Sequence, residues 1–341
     1  MPNLDDVAKL CGVSRMTVSR VINNSGPVKE ETRQKVLRAI NQLNYVPNLY
    51  AKGMAGHSLR ILSVIVPDIV NPFYTSVVRG VEDVARKNQY KVIICNHDDD
   101  PKKEEEYIRS LLALKIDGFL IIPGGDFTMK HLRMIIEHQR PVVMVDRKPK
   151  GYVGDFVAGD SFYGAVELVE HLVARSHRKI AFVNGPTTIS TARDRLEGYK
   201  YALQKHGIPY KAEYVYEGSS FNEEMGELAV NHFLTLPEKP TAVFAANNFI
   251  AIGIIRALRR RNMDVPNDIA LSCFEKIEVS DMIKPTVTAM IQPSYNFGTI
   301  ATQLLLERIE GLQIETPRQI ILRPEMILGE STEQYVFPSI S

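Results

Sequence analysis

Near-continuous apolar runs alternate with amphipathic stretches of helical periodicity over residues 60–146. Runs that are apolar at almost every position are typical of parallel β-strands that helices cover on both faces. The pattern therefore predicts a doubly wound α/β unit. The expected strands are residues 61–67, 91–96, 118–123 and 141–146, and the expected helices are residues 73–87, 102–114 and 129–138.

The same rhythm starts again after residue 160 and predicts a second α/β unit. Its expected strands are residues 179–185, 213–218, 242–247 and 269–274, and its expected helices are residues 161–174, 191–206, 222–234 and 249–261. Two such lobes in tandem imply a cleft between them, and α/β sheets bind ligands beyond the carboxyl ends of their strands. The remaining segments, an apolar run, a helix and a second run, are residues 287–293, 295–309 and 319–328, and their pattern alone allows them to extend either lobe.

The first 46 residues have a different pattern, with short amphipathic segments instead of apolar runs. A helix over residues 13–23 has Ser14 in the position of an N-cap, and Gly12 allows a tight turn after an earlier helix that begins near Leu4. Two short helices joined in this way form a helix-turn-helix, although such hairpins also occur as mere packing. With a third helix over residues 30–43, the expected small core is Val7, Leu10, Val18, Val21, Val36, Leu37, Ile40 and Leu43.

Positive charge is concentrated in this first segment. The whole chain of 341 residues has a formal net charge of +1, but residues 1–57 hold eight Lys or Arg against four acids, which leaves the remainder at −3. A basic segment that contains a helix-turn-helix favours DNA binding. No apolar run reaches the roughly 20 residues that span a bilayer, and polar residues stand where a signal peptide would be apolar, so we expect a cytoplasmic protein.

The chain offers little that predicts a metal site or a catalytic centre. Its three cysteines, Cys11, Cys95 and Cys273, lie far apart and are expected to be small core residues. His97 is followed by three aspartates, which favour a solvated loop that caps the next helix over a metal site. No glycine-rich phosphate loop or nucleophile elbow is present. We therefore expect no enzyme, no metal and no cofactor.

Five segments give the chain a resemblance to the LacI/GalR family of bacterial transcription regulators along essentially its full length. They are DDVAKLCGVSRMTVSRVIN (5–23), VKEETRQKVLRAINQLNYVPN (28–48), PDIVNPFY (67–74), RDRLEGYKYAL (193–203) and AANNFIAIGIIRAL (245–258). The resemblance implies an α/β protein with a three-helix DNA-binding head (1–46), a hinge (47–58) and two doubly wound lobes of the periplasmic-binding-protein type (59–334). We expect an N-lobe of about 59–158 plus 291–318 and a C-lobe of about 159–290 plus 319–334.

The resemblance also implies how DNA is bound. Homodimers of the family read a pseudo-palindromic operator, and the hinge inserts an apolar wedge into the minor groove. In this chain Arg15 and Met16 are the leading candidates for base contacts and Arg20 for a base or phosphate contact. The full set of expected DNA-binding residues is Ser14, Arg15, Met16, Thr17, Arg20, Asn23, Lys52 and Met54.

By the same resemblance, a small-molecule effector lies in the cleft and controls DNA binding. The expected effector-binding residues are Asp68, Phe73, Tyr74, Asp146, Arg147, Thr191, Arg195, Phe221, Asn247 and Glu275. Where the family commonly has an aspartate that grips sugar hydroxyls, this chain has Glu275 followed by Lys276. The expected effector is a sugar, sugar acid or sugar phosphate, and the extra cation of Lys276 slightly favours a charged ligand.

Alternatives and the dimer face stay open at this point. Control by a docked partner protein, as in a global catabolite regulator of the family, fits the same sequence, and a two-lobed solute-binding protein shares the core architecture. The C-terminal segment lacks a leucine heptad, so a tetramer is not expected. Two apolar stripes are candidates either for the dimer face or for ordinary core: Leu304, Leu305 and Ile309, and Val77, Val81 and Val84.

Overall fold

The computed structural model describes residues 2–23, 25–46, 58–277, 285–312 and 316–333. The chain separates into two compact units that divide between Leu59 and Arg60. The predicted hinge residues Lys52 and Met54 lie outside the described residues, and so does the side chain of Asn23. Among the described residues, no helix has both the length and the apolar character needed to cross a membrane.

The first unit contains three helices, α1 (Leu4–Cys11), α2 (Arg15–Asn23) and α3 (Glu30–Gln42). Asn3 caps α1 by accepting from the amides of Asp5 and Asp6, and the Oγ of Ser14 caps α2 by accepting from the amide of Thr17 at 3.1 Å. Capping of this kind satisfies amides that have no partner inside the helix. The predicted helix-turn-helix is therefore present, with a buried core of Val7, Ala8, Val18, Val21, Val36 and Ala39.

Two residues expected in this core are on the surface. Leu10 is 47% exposed and Leu37 is 40% exposed. The buried stripe of α1 contains Val7 and Ala8 and continues through the half-buried Leu4 and Cys11, at the 3–4 residue spacing of one helix face. Leu10 lies off this stripe, and Leu37 lies off the corresponding stripe of α3.

The second unit consists of two lobes, each with a six-stranded sheet. The first sheet has the order β11-β5-β4-β3-β1-β2 and is parallel throughout. Its strands are β1 (Ile61–Val66), β2 (Lys91–Asn96), β3 (Gly118–Ile121), β4 (Val142–Val145), β5 (Phe156–Gly159) and β11 (Gln319–Leu322). Its helices are α4 (Pro72–Lys87), α5 (Pro101–Ala113), α6 (Thr128–Glu137) and α11 (Ser294–Ile309).

The second sheet has the order β12-β10-β9-β8-β6-β7 and is parallel except for the antiparallel pair β10 and β12. Its strands are β6 (Ile180–Asn184), β7 (Val215–Glu217), β8 (Ala242–Ala245), β9 (Ala270–Phe274), β10 (Thr288–Ile291) and β12 (Glu325–Ile327). The helices of this lobe are α7 (Ser161–Ala174), α8 (Ser190–Lys205), α9 (Glu223–Thr235) and α10 (Asn248–Arg259). Both predicted doubly wound lobes are thus confirmed.

The predicted run over residues 319–328 is wrong as one element of the C-lobe. Residues of β11 pair with β5 in the first sheet, whereas β12 pairs with β10 in the second. Pro324 separates the two strands, and proline has no amide hydrogen to donate to a ladder. The chain therefore crosses between the lobes three times: after β5, after β10 and after β11.

Both stripes considered for a dimer face lie in the core of the first lobe. Val77, Val81 and Val84 of α4 are buried, as are Leu304 and Leu305 of α11, and these two helices pack against each other. Of the two alternatives that the sequence left open, ordinary core is the one that the structure supports.

Candidate functional site

Nine of the ten residues expected to bind an effector line one cleft between the two lobes. Phe73 and Tyr74 begin α4 after β1, Asp146 and Arg147 follow β4, and Thr191 and Arg195 lie in the first turns of α8. The other three are Phe221, Asn247 and Glu275. They meet because strands of both sheets end at this edge of their lobe. We call these nine residues, together with Asn71 and Gln292, the effector cleft.

Asp68, the tenth candidate, does not line the effector cleft. Its Oδ1 accepts from the amide of Val70 at 2.8 Å, which makes a local turn before α4. Asn71 and Gln292 line the cleft but were not predicted. Asn71 stands inside the quoted PDIVNPFY segment as the cap of α4, and Gln292 is the first polar residue after an apolar strand. Both residues could therefore have been predicted as cleft residues from their positions in the sequence.

Arg147 donates three side-chain hydrogen bonds in the cleft. Its Nη1 donates to the Asp99 carboxylate at 2.6 Å and to the Pro123 carbonyl at 3.1 Å, and its Nη2 donates to the Tyr74 hydroxyl at 2.8 Å. Burial alone would lower the pKa of Arg147, but Asp99, Tyr74 and Asp146 together outweigh burial and raise that pKa. Burial also raises the pKa of Tyr74. Arg147 is therefore a fixed cation with a fixed phenol beside it.

Asp146 has an unusual backbone conformation, and one of its carboxylate oxygens has no hydrogen-bond partner among the described residues. It is 5% exposed and has a φ of 61°, in the left-handed region that non-glycine residues seldom adopt. Its Oδ1 is buried without a hydrogen-bond partner among the described residues. Burial raises the pKa of Asp146, although Arg147 and Arg195 oppose that change.

Arg195 is buried from the second lobe and is only partly satisfied. Its Nη1 donates to the Ala246 carbonyl at 2.7 Å, and its guanidinium lies 3.9 Å from the centre of the Phe274 ring. Its Nε has no partner among the described residues. Burial lowers the pKa of Arg195, whereas the charges of Asp146 and Glu275 raise it. At 5% exposed, Arg195 is not a surface arginine.

Glu275 is held by the other unpredicted residue, Gln292. The Nε2 of Gln292 donates to Oε1 of Glu275, while Oε1 of Gln292 is buried without a partner among the described residues. Glu275 also has a positive φ, of 81°. Lys276 is half-buried and does not line the cleft. The cation that favoured a charged ligand is therefore not in the site.

Among the described residues, the cleft thus has two buried donors and two buried acceptors without a hydrogen-bond partner. The donors are the Nε atoms of Arg147 and Arg195, and the acceptors are Oδ1 of Asp146 and Oε1 of Gln292. A buried polar atom without a partner costs roughly 1–3 kcal/mol, so a ligand that satisfies these four atoms would be bound favourably. The cavity between them is only about 30 Å³, room for one or two water molecules. A larger ligand enters only if the lobes part or side chains turn.

Among the described residues, three pairs joined by hydrogen bonds or an ion pair link the two lobes beside the cleft. Asn71 and Asn248 exchange hydrogen bonds through their side-chain amides, at 3.3 Å each. Arg193 of α8 contacts Asp126 of the first lobe at 3.1 Å. The amide of Lys148 donates to Oγ of Ser190 at 2.9 Å.

The predicted DNA-binding residues of the head whose side chains the structure describes lie in α2 or just before it. Arg15, Met16 and Arg20 are exposed, and Met16 is exposed to 64% of its surface. Arg15 has one acidic neighbour, Asp5, at 3.7 Å. Ser14, Thr17 and Arg20 border a shallow hollow together with Lys29 and Thr32, which were not predicted. Hydroxyls and cations in this arrangement suit phosphate groups.

The loop after β2 is only partly as predicted. Asp100 caps α5 by accepting from the amide of Lys102 at 2.8 Å, as expected of a capping loop. His97, however, is fully buried, and its Nε2 lies 3.0 Å from the Ile122 carbonyl. No group of three or more His, Cys, Asp or Glu suited to a metal ion occurs among the described residues.

Two family models match the chain. Residues 3–48 match the model described as bacterial regulatory proteins, lacI family. Residues 60–322 match the model described as periplasmic binding proteins and sugar binding domain of the LacI family. The boundary between the two matches falls near the division between the two compact units.

Individual proteins match along nearly the whole length. Catabolite control protein A of Priestia megaterium is 34% identical over 325 residues, which cover 93% of this chain and 97% of that protein. Among solved structures, the regulator CelR in complex with cellobiose has a TM-score of 0.74 at 29% identity and covers 97% of this chain and 100% of the other. The lac repressor dimer bound to operator and the anti-inducer ONPF has a TM-score of 0.82 at 25% identity and covers 97% and 99%.

Proposed function

Because the chain belongs to the LacI family of bacterial regulatory proteins, we propose that it is a ligand-responsive DNA-binding repressor of carbohydrate-utilisation genes. It binds a pseudo-palindromic operator as a homodimer, and a small-molecule effector in the cleft controls that binding. The observation that carries the proposal is the set of four unpartnered polar atoms in the cleft of a chain that also has a helix-turn-helix head. A related structure, CelR, binds cellobiose, and the lac repressor dimer binds operator.

The cleft favours an uncharged sugar over a sugar acid or phosphate. The two cations, Arg147 and Arg195, are balanced by the carboxylates of Asp146 and Glu275, and Asp99 adds a further negative charge on Arg147. No excess positive charge is left to neutralise an anion. Two open donors and two open acceptors suit hydroxyl groups, because each hydroxyl donates one hydrogen bond and accepts others.

Control of DNA binding follows from a shift between arrangements of the lobes. An effector that prefers one arrangement raises its population, and the dimer presents its two heads to DNA differently in each. Coupling free energies of this kind are about 1–3 kcal/mol, which changes affinity ~5–150-fold. Arg15 and Met16 are proposed to contact bases, and Ser14, Thr17, Arg20, Asn23, Lys29 and Thr32 to contact phosphates or hold the helix in place.

A binding experiment tests both DNA binding by the head and effector binding by the cleft. An operator is first selected with the full chain from random double-stranded DNA, and its affinity is then measured at fixed salt with uncharged sugars, sugar acids and sugar phosphates, since phosphate contacts depend on salt. We expect at least one uncharged sugar to change operator affinity ~5–150-fold. Arg15→Ala should weaken operator binding and relax base preference by about 1–3 kcal/mol, whereas Arg79→Ala, on an exposed face of α4, should not.

Three results would count against this function: no selectable operator, an operator response to charged ligands alone, or unchanged base preference in Arg15→Ala. The two other functions considered are not favoured. A solute-binding protein has no DNA-binding head, whereas this chain has one. Control by a docked partner protein is not needed, because the unpartnered atoms of the cleft already suit a small molecule. We further propose that the protein binds its effector without converting it and acts in the cytoplasm. Recovery of chemically unchanged sugar after incubation tests the first of these two statements.

A further inference from the structure

A second cavity adjoins the effector cleft. It has a volume of about 490 Å³, within the range of small-molecule sites, whereas the cleft itself has about 30 Å³. Asp146 and Thr191 border both spaces, so these two residues stand between them. We call this space the second cavity. It lies at the ends of β4 and β5 in the first lobe and at the starts of α7 and α8 in the second.

Two buried polar side chains of the second cavity have an open atom. Ser161, the first residue of α7, is 3% exposed, and its Oγ has no hydrogen-bond partner among the described residues. Asp146 is 5% exposed, and its Oδ1 is open in the same sense. Ser161 and Asp146 therefore each have a buried polar atom without a recorded partner, in the wall of a space large enough for a ligand.

The outer wall of the second cavity has an apolar part. Phe162 is 40% exposed and Ile321 is 50% exposed, although both are large apolar residues. The ring of Phe162 also packs against Tyr201, with ring centres 5.6 Å apart, which keeps it in place. An aromatic face beside carboxylate and hydroxyl oxygens suits a sugar ring, which has apolar C–H faces and hydroxyl groups at its edge.

The charges around the second cavity cancel. Arg193 and Lys150 share one further carboxylate outside the cavity wall, Asp126, with contacts of 3.1 and 3.8 Å. The cavity is lined by three cations and three carboxylates, namely Lys148, Lys150, Arg193, Asp146, Asp160 and Asp194. With Asp126 included there is no positive excess, so the cavity suits an uncharged group better than a phosphate.

We propose that the second cavity is a subsite for a second sugar ring, so that the effector is of at least disaccharide size. One ring occupies the effector cleft, the glycosidic bond passes Asp146 and Thr191, and the second ring packs on Phe162 and bonds to Ser161. This inference rests on the proposed function, because it assumes a sugar in the effector cleft. It adds that the ligand is selected by length as well as by charge.

The test compares mono- and disaccharides by calorimetry with the full chain. The probes are glucose, galactose and ribose, the disaccharides cellobiose, maltose, lactose and trehalose, and glucose 6-phosphate. We expect one disaccharide to bind at least ~10-fold more tightly than its constituent monosaccharide, the gain of one or two hydrogen bonds and an apolar contact. Phe162→Ala and Ser161→Ala should each lower the ratio of disaccharide to monosaccharide affinity about 3–10-fold.

Two features keep the result interpretable. Ser161→Ala removes no hydrogen bond recorded within the described residues, so it should fold normally, and Tyr210→Ala is a matched control because Tyr210 is 46% exposed and lines neither cavity. Monosaccharide binding with no gain for any disaccharide, or an unchanged ratio in both variants, overturns the second subsite but not the proposed function. Tighter binding of glucose 6-phosphate than of glucose also overturns it. Failure of every sugar to bind overturns the proposed function itself.

Discussion

Asp155 bonds to two arginines from the C-terminal part of the chain. It lies just before β5 and is 3% exposed. Both of its oxygens accept from Arg308 of α11 and from Arg318 before β11, at distances of 2.8–2.9 Å. Burial alone would raise its pKa, but the hydrogen bonds from the two arginines outweigh burial and lower the pKa of Asp155 to about 2.

The stability of the core should therefore depend on the ionisation of Asp155. An aspartate titrates near pH ~3.9 in an unfolded chain, so the stabilising contribution is complete above that pH and is lost as the pH falls toward 2. Asp155→Asn should lower the free energy of unfolding at pH 7 by about 1–2 kcal/mol, allowing for the partial exposure of both arginines. It should also flatten the fall in stability between pH 4 and 2. Urea unfolding of the full chain measures both effects.

An exposed ion pair provides the control for this prediction. Glu197 and Lys200 of α8 are 2.9 Å apart, with 63% and 38% of their side-chain surface exposed. Glu197→Gln should change the free energy of unfolding by less than about 0.5 kcal/mol. Equal effects of the two substitutions at pH 7 would show that Asp155 contributes no more than a surface charge.

At the same scale, the residues of the cleft were predictable to different degrees. The resemblance to the family supplied ten candidates, and nine of them line the cleft. Asp68 fails because an aspartate near a helix start can turn back onto its own backbone. The left-handed conformations of Asp146 and Glu275 and the open atoms depend on contacts between distant segments, and no local pattern encodes them.

Among the secondary-structure elements, helix pairs in both lobes are packed so closely that glycine is required. In the first lobe, α4 and α11 meet at Gly80 and Gly298, where an added Cβ would lie 2.2 Å from the Tyr295 carbonyl oxygen and 2.0 Å from that of Val77. In the second lobe, α9 and α10 meet in the same way at Gly226 and Gly253, with distances of 2.2 and 1.9 Å. Both lobes thus bring two helices into close contact through a pair of glycines.

Gly298→Ala should destabilise the protein although alanine is the better helix former. Alanine gains about 1 kcal/mol in helix propensity, but its Cβ cannot fit beside the Val77 carbonyl unless α11 moves. We expect a net loss of about 1–3 kcal/mol in the free energy of unfolding, as is usual for overpacked interiors. Gln303→Ala, on the exposed face of the same helix, should stay within about 0.5 kcal/mol of the parent. A variant as stable as the parent would mean that the helices separate at little cost.

The periodicity of the sequence predicts the strands and helices better than it predicts which of them pair with each other. Long apolar runs and helical stretches were placed within a few residues, but β5 was missed because it has only four residues and no long apolar run. The run over 319–328 was placed in one lobe because a hydrophobic pattern does not show which sheet edge a strand joins. Close helix pairing through glycines is likewise a property of two segments, and one sequence shows only that glycines are present.

For the core as a whole, the repetition of a strand and helix pattern predicts two lobes, but it does not predict how tightly they close. The structure adds this information: the cleft is narrow, and direct contacts join the lobes beside it. An effector of sugar size enters only if these contacts part or cleft side chains turn, because the cavity holds no more than one or two water molecules. The closed arrangement of the lobes therefore slows the association of the effector, and it also strengthens effector binding once the ligand is inside.

Asn248→Ala should speed the entry of the effector. Asn248 is buried and contacts the opposite lobe through Asn71, yet it does not line the effector cleft. Removal of its amide takes away the reciprocal pair of hydrogen bonds, which at 3.3 Å are long, so we expect the population of open molecules to rise about 3–10-fold. If the ligand enters through open molecules, the association rate constant, measured by stopped-flow with the sugar found by calorimetry, should rise by the same factor. Asn231→Ala, an exposed asparagine of the second lobe, is the control and should leave the rate unchanged. An association rate that is the same in Asn248→Ala and in the parent would mean that the ligand reaches its site without any parting of the lobes at this contact.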